Sequence, residues 1–77
     1  MSKFSIVISN SGSKQLRVFR EPWGDEYKLP CGTAMCIQAE GPDRAKTDRM
    51  QIQLGDSEIT IYGWAKSSIE ILAEDTA

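Results

Sequence analysis

The sequence predicts an all-β domain, a small antiparallel sandwich or barrel of about six to seven short strands. Apolar residues recur at every second position through much of the 77-residue chain, which is the period of a half-buried strand. Clusters of Gly, Pro, Asn, Asp and Ser interrupt this alternation every eight to twelve residues or so, as turns do in small β domains. Helical periodicity is weak: Ser67 to Ala73 could form about two turns, but Ile69 and Ile71 fit a final strand better.

The first two predicted strands are joined by a local turn signal. Residues 4–9 alternate in hydrophobicity, and a second strand is predicted from Gln15 to Arg20. Between them lies Asn-Ser-Gly-Ser, residues 10–13, in which Asn and Gly can take positive φ. We expect these two strands to form an antiparallel hairpin.

A segment with Pro and Gly, Glu21 to Asp25, then predicts a corner or loop because proline cannot donate to a strand ladder. Tyr27 and Leu29 share one face of a short extended piece after it. Residues 33–39 predict the next strand. Both of its faces are largely apolar, which indicates a central position and places Cys36 inside.

The second half of the chain contains the clearest hairpin signal. Residues 50–54 and 58–62 both alternate in hydrophobicity, and Gly-Asp-Ser joins them. The polar residues 41–49 predict an exposed loop before this hairpin, and residues 74–77 predict a polar tail of the single domain.

Charge and hydropathy exclude several classes of partner. With 9 Lys and Arg against 11 Asp and Glu, the formal net charge is −2, so the basic excess of a nucleic-acid binder is missing. Arg44, Lys46 and Arg49 are interleaved with acids and not with aromatic residues, which favours a solvated loop over a phosphate clamp. No apolar stretch approaches the ~20 residues of a spanning helix or forms a signal-peptide core. We expect a cytoplasmic protein with no nucleic-acid or membrane partner.

The sequence also lacks the residues of common active sites. There is no histidine, and neither GxGxxG nor GxxxxGK[ST] occurs. Cys31 and Cys36 would point to opposite faces of one strand, so we expect free thiols. A zinc site needs about four ligands, and the chain has no His to complete one. The sequence therefore predicts no enzyme, no cofactor and no metal site. Glu21, Asp25 and Glu26 leave a weak carboxylate-based activity as an alternative.

One segment, Arg20 to Leu29, predicts a binding surface because Trp and Tyr are enriched at binding hot spots. Acidic side chains there could pair with cationic groups of a partner. The candidate residues are Arg20, Glu21, Trp23, Asp25 and Tyr27. In the structural alternative, Trp23 plugs one end of the domain and Glu21 bonds turn amides or pairs with Arg20 or Arg17. Trp64 is predicted to be a core plug or a cap over the last hairpin.

Two binding functions follow from this segment. The first is a protein-interaction module, such as an adaptor or an immunity-type inhibitor, with exposed strand edges that could also support a homodimer. The second is a small-ligand domain with a shallow pocket framed by Trp23, Tyr27 and Arg20.

Residues 16–32 resemble short bacterial all-β proteins of unknown function. These carry a strand, then Glu-Pro-Trp-Gly, an acidic residue and Tyr, and Leu-Pro-x-Gly before the next strand. The matching positions are Glu21, Pro22, Trp23, Gly24, Glu26, Tyr27, Leu29, Pro30 and Gly32. The resemblance implies a bacterial origin and a small β fold, and it implies no activity.

Overall fold

A computed structural model describes residues 2–42 and 49–74 of the chain, and in these two ranges it contains seven strands and no helix. The predicted polar loop of residues 41–49 lies mostly outside the described residues. Residues 75–77 of the predicted tail also lie outside them, and Glu74 ends the last strand. The strands are β1 Ser2–Ser9, β2 Leu16–Glu21, β3 Asp25–Leu29, β4 Ala34–Gly41, β5 Gln51–Leu54, β6 Glu58–Tyr62 and β7 Ser68–Glu74.

The strands form two sheets, which confirms the predicted small all-β sandwich and rules out a closed barrel. One sheet has the order β1-β4-β7 and is antiparallel throughout. The other has the order β3-β2-β6-β5, and its central pair, β2 and β6, is parallel. As its two apolar faces predicted, β4 is the central strand of the smaller sheet.

The core lies between the two sheets and follows from the period of two. Inward side chains of β1 are half-buried while the alternate ones are exposed, and β4 repeats the pattern more deeply. Both sheets contribute to one cluster of buried residues: Val18, Leu29, Met35, Ile37, Ala39, Ile59, Ile61, Trp64 and Ile69.

The predicted hairpin of the first two strands is wrong. β1 pairs with β4, and β2 pairs with β3 and β6 in the other sheet. The reversal between them is not a hairpin turn, because Asn10 takes the chain across to the loop after β3. Its backbone N–H donates to the Thr33 carbonyl at 2.9 Å, and its own carbonyl accepts from the Gly32 N–H at 2.8 Å.

Two other local predictions have different outcomes. The hairpin of β5 and β6 is confirmed, with antiparallel pairing that runs from Gln51 opposite Tyr62 to Leu54 opposite Ile59. The inside position of Cys36 is wrong: it is half-buried on the outer face of β4, because Met35 and Ile37 on either side of it point into the core. Both cysteines are free thiols.

Candidate binding groove

A groove lies at one end of the sandwich, and the parallel pairing of β2 and β6 creates it. Parallel strands end at the same edge of a sheet, so Glu21 and Tyr62, the last residues of the two strands, lie side by side. The chain then leaves both strands in separate corners, residues 22–24 and residues 63–67. The space between the two corners has a volume of about 460 Å³.

The lining of the groove is mainly apolar and aromatic, with one acid and one base. It comprises Glu21, Pro22, Trp23, Tyr62, Gly63, Trp64, Ala65, Lys66 and Ser67. Apolar clefts of this size that carry a few polar groups are typical binding sites in small proteins.

Trp23 forms one wall of the groove, and 41% of its surface is exposed. The structural alternative in which Trp23 is a buried plug is therefore wrong. The ring is nevertheless held in place, because the Arg20 guanidinium carbon lies 4.9 Å from its centroid. Trp23 thus presents a large apolar surface in a fixed position.

Arg20 holds this end of the sandwich together from within. Its Nη1 donates to the Ile69 carbonyl of the opposite sheet at 2.5 Å, and its Nη2 forms an ion pair with Asp25. These contacts occupy most of the guanidinium, although its buried Nε has no partner among the described atoms. Of the residues predicted to contact a partner, Arg20 and Asp25 pair with each other, and Arg20 also lies against the Trp23 ring.

The second wall is a tight corner built around Ser67. Its hydroxyl accepts from the Trp64 N–H at 2.9 Å and donates to the Trp64 carbonyl at 2.7 Å. Lys66 has a positive φ of 63°, which few residues other than glycine adopt. Gly63 allows the close approach at the start of this corner, since a Cβ there would lie 2.5 Å from Ser67 Oγ and 3.3 Å from Ile69 Cδ1.

Trp64 connects this corner to the core, which confirms the predicted plug. Only 7% of its surface is exposed. Its ring stacks on Phe4, with centroids 5.9 Å apart and planes at 12°, and its Nε1–H donates to the Pro42 carbonyl at 3.0 Å. The groove is therefore lined by one buried aromatic residue, Trp64, and by one exposed aromatic residue at its rim, Trp23.

Glu21 supplies the acid at the rim of the groove. Its backbone carbonyl accepts from the Gly63 N–H at 3.2 Å, which ties the two corners together. Its carboxylate forms no hydrogen bond or ion pair with another described residue, in contrast to Asp25. The alternative in which the Glu21 side chain pairs with Arg20 or Arg17 is therefore wrong, since Arg20 pairs with Asp25 and Arg17 with Glu58.

The structure does not bring all five predicted binding residues together in the groove. Glu21 and Trp23 line the groove, whereas Tyr27 lies two positions away from Asp25 along β3 and packs against the core. The sequence analysis predicted no binding role for the lining residues outside the segment Arg20 to Leu29, which are Tyr62, Gly63, Trp64, Ala65, Lys66 and Ser67. Only the pairing of β2 with β6 brings these residues to Trp23.

No protein-family model, curated protein or solved structure matches this chain. The resemblance of residues 16–32 to short bacterial β proteins therefore stays a prediction. In residues 2–42 and 49–74, no group of three or more His, Cys, Asp or Glu side chains could hold a metal ion. The same residues form no helix that is long and apolar enough to cross a membrane.

Proposed function

We propose that this chain is a non-enzymatic, cytoplasmic protein-interaction module, of the adaptor or inhibitor kind, that binds another protein through the groove. The observation that supports this most directly is the exposed Trp23 at the rim. Binding energy at protein interfaces is concentrated in a few aromatic and Arg residues that are already ordered before binding.

The groove offers a partner both apolar area and selective polar groups. Trp23 and Tyr62 provide aromatic surface, while the Glu21 carboxylate and the Lys66 ammonium group lie on the same lining. An apolar side chain flanked by charged groups of opposite sign would fit this arrangement. Charges at the rim of an interface act mainly on specificity and association rate.

Replacing Trp23 by Ala is expected to weaken binding of the protein partner strongly, while the free energy of unfolding changes little. The variant loses the contact with Arg20, which is worth about 1 kcal/mol at a half-exposed site. Loss of a hot-spot Trp costs about 2 kcal/mol or more of binding free energy, a drop in affinity of at least thirtyfold or so. Affinity purification from the source organism, followed by titration of the purified partner, measures this.

Val7→Ala is the matched control, because Val7 is 55% exposed on the outer face of the other sheet. Glu21→Gln tests the acid without changing its shape and should weaken binding less than Trp23→Ala does. If Trp23→Ala bound the partner as tightly as Val7→Ala does, the groove would not be the contact surface.

The volume of the groove supports a second candidate, a small-ligand binding domain. About 460 Å³ falls within the range of ligand pockets, roughly 300–1,000 Å³. Of the three residues predicted to frame the pocket, only Trp23 belongs to the lining; Tyr62 and Lys66 take the places of Tyr27 and Arg20 in this version of the proposal. A metabolite screen by thermal shift should then raise the melting temperature of the wild type and of Val7→Ala, but not of Trp23→Ala. A flat response from the wild type would leave the protein partner as the better candidate.

A further inference from the structure

β5 differs from the other three edge strands of the sandwich in carrying no charged residue. The edges of the two sheets are β1, β7, β3 and β5. Lys3 lies in β1, Glu70 in β7, and Asp25 and Lys28 in β3, whereas β5 reads Gln-Ile-Gln-Leu. Charges and prolines on edge strands oppose the addition of another strand, and β5 lacks both.

The inward side chains of β5 are apolar and exposed. Ile52 lies opposite Ile61 and Leu54 opposite Ile59, so all four share the core-facing side of the sheet. Ile59 and Ile61 are buried, but Ile52 is 39% and Leu54 75% exposed. β5 therefore extends the apolar face of its sheet beyond the part that the other sheet covers.

The backbone of β5 has free hydrogen-bonding groups that could pair with one additional strand. The Gly55 N–H donates to the Glu58 carbonyl at 2.8 Å, which sets the alternation of the antiparallel ladder between β5 and β6. Gln53 then bonds to β6, and the N–H and C=O groups of Ile52 and Leu54 point to the free edge.

We propose that the occupant of this edge is a second copy of the chain, bound antiparallel through β5 about a two-fold axis at Gln53. Ile52 of one copy would then bond to Leu54 of the other in both directions. The two four-stranded sheets would become one continuous sheet, with an apolar strip shared across the axis.

Charges at the two ends of β5 favour a second copy over another occupant. Arg49 lies just before the strand and Asp56 just after it, and both are exposed. An antiparallel two-fold pairing brings Arg49 of each copy near Asp56 of the other, whereas a parallel pairing brings like charges together. The edge is thus complementary to itself.

The short strand predicts a reversible dimer. An interface of one short strand from each copy should bury less than the roughly 1,200 Å² of a stable complex. We therefore expect a dimer dissociation constant in the micromolar range or higher. Sedimentation velocity from low micromolar to near-millimolar protein should show the mass rising from one copy to two. A single copy throughout this range would overturn the proposal.

Leu54→Lys places a charge at the centre of the contact and should raise the dimer dissociation constant about tenfold or more. Because Leu54 is 75% exposed, the variant should fold as the wild type does. Val7→Lys is the matched control, since it adds the same charge to an exposed apolar position on the other sheet. Equal effects of the two variants would show that the dimer forms elsewhere.

Exchange of the end charges tests the orientation. Arg49→Asp and Asp56→Arg should each weaken self-association, and the double variant should restore it. A mixture of the two single variants should also form mixed dimers, because each then supplies the charge that the other needs. Failure of both the double variant and the mixture to recover association would overturn the antiparallel pairing.

A cysteine at the axis provides an independent readout. In a Cys31→Ser, Cys36→Ala background, Gln53→Cys should oxidise to a covalent dimer, because residues opposite each other in a non-hydrogen-bonded pair have Cα atoms only about 4.5 Å apart. Gln51→Cys on the same face should not, since it lies opposite Gly55 of the second copy. Equal cross-linking of both would contradict an axis at Gln53.

Discussion

Replacing Trp64 by Ala is expected to lower the free energy of unfolding by about 3–5 kcal/mol, the cost of removing a large aromatic side chain from a core. The variant loses the stacking on Phe4 and leaves a cavity beneath the corner of residues 63–67. It also leaves the Pro42 carbonyl without the donor that the indole supplies. For a domain of 77 residues this is a large part of the total stability.

Urea unfolding followed by far-ultraviolet circular dichroism measures the loss for Trp64→Ala. Trp23→Ala is the matched control, because it removes the same side chain from a position that is 41% exposed. We expect a cost of about 1 kcal/mol there. Trp64→Phe keeps an aromatic ring, so its loss in the free energy of unfolding should lie between those of Trp64→Ala and Trp23→Ala. Equal destabilisation by Trp64→Ala and Trp23→Ala would contradict the division into a core aromatic and a rim aromatic.

Replacing Asn10 by Ala is expected to lower the free energy of unfolding by about 2–3 kcal/mol. Asn10 is 4% exposed, and each polar group of its side chain is used. Nδ2 donates to the Lys14 carbonyl at 2.8 Å and to the Leu29 carbonyl at 2.9 Å, while Oδ1 accepts from the Gly12 N–H at 3.0 Å. Each buried group left without its partner costs about 1–3 kcal/mol.

Chemical unfolding again measures the change, with Ser11→Ala as the control because Ser11 is an exposed neighbour in the same turn. Asn10→Asp keeps the shape but removes both donors and turns a carboxylate towards two carbonyl oxygens. It should destabilise at least as much as Asn10→Ala. A cost for Asn10→Ala no larger than that of Ser11→Ala would show that Asn10 serves only as a turn residue.

Variants of Trp64 and Asn10 also help to distinguish effects on stability from effects on binding in the proposed function. Trp64 contacts the groove from below, so Trp64→Ala should reduce both stability and partner binding. Asn10 lies outside the groove lining, so Asn10→Ala should reduce stability alone. Trp23→Ala should reduce partner binding and change stability little. The three variants together distinguish a contact residue from one that only maintains the fold.

The candidate site could be predicted in part. Glu21 and Trp23 were identified from composition, because an aromatic residue beside acids in a corner is typical of a contact surface. Tyr62 and Lys66 could not be, since they lie about 40 positions away in the chain and reach Trp23 only through the pairing of β2 with β6. Arg20 and Asp25 could not be assigned either, because their ion pair becomes visible only when the register of β2 and β3 is known.

What the sequence by itself determined is local: the period of two, the turn signals, and therefore the strands and their inward faces. The β5–β6 hairpin and the burial of Ile69 follow from such short-range patterns. The tertiary structure alone decided how the other strands pair, that Asn10 carries the chain from one sheet to the other, and that Trp23, unlike Trp64, is exposed. Each of these depends on contacts between residues far apart in sequence, and a turn signal does not specify which sheet the next strand will join.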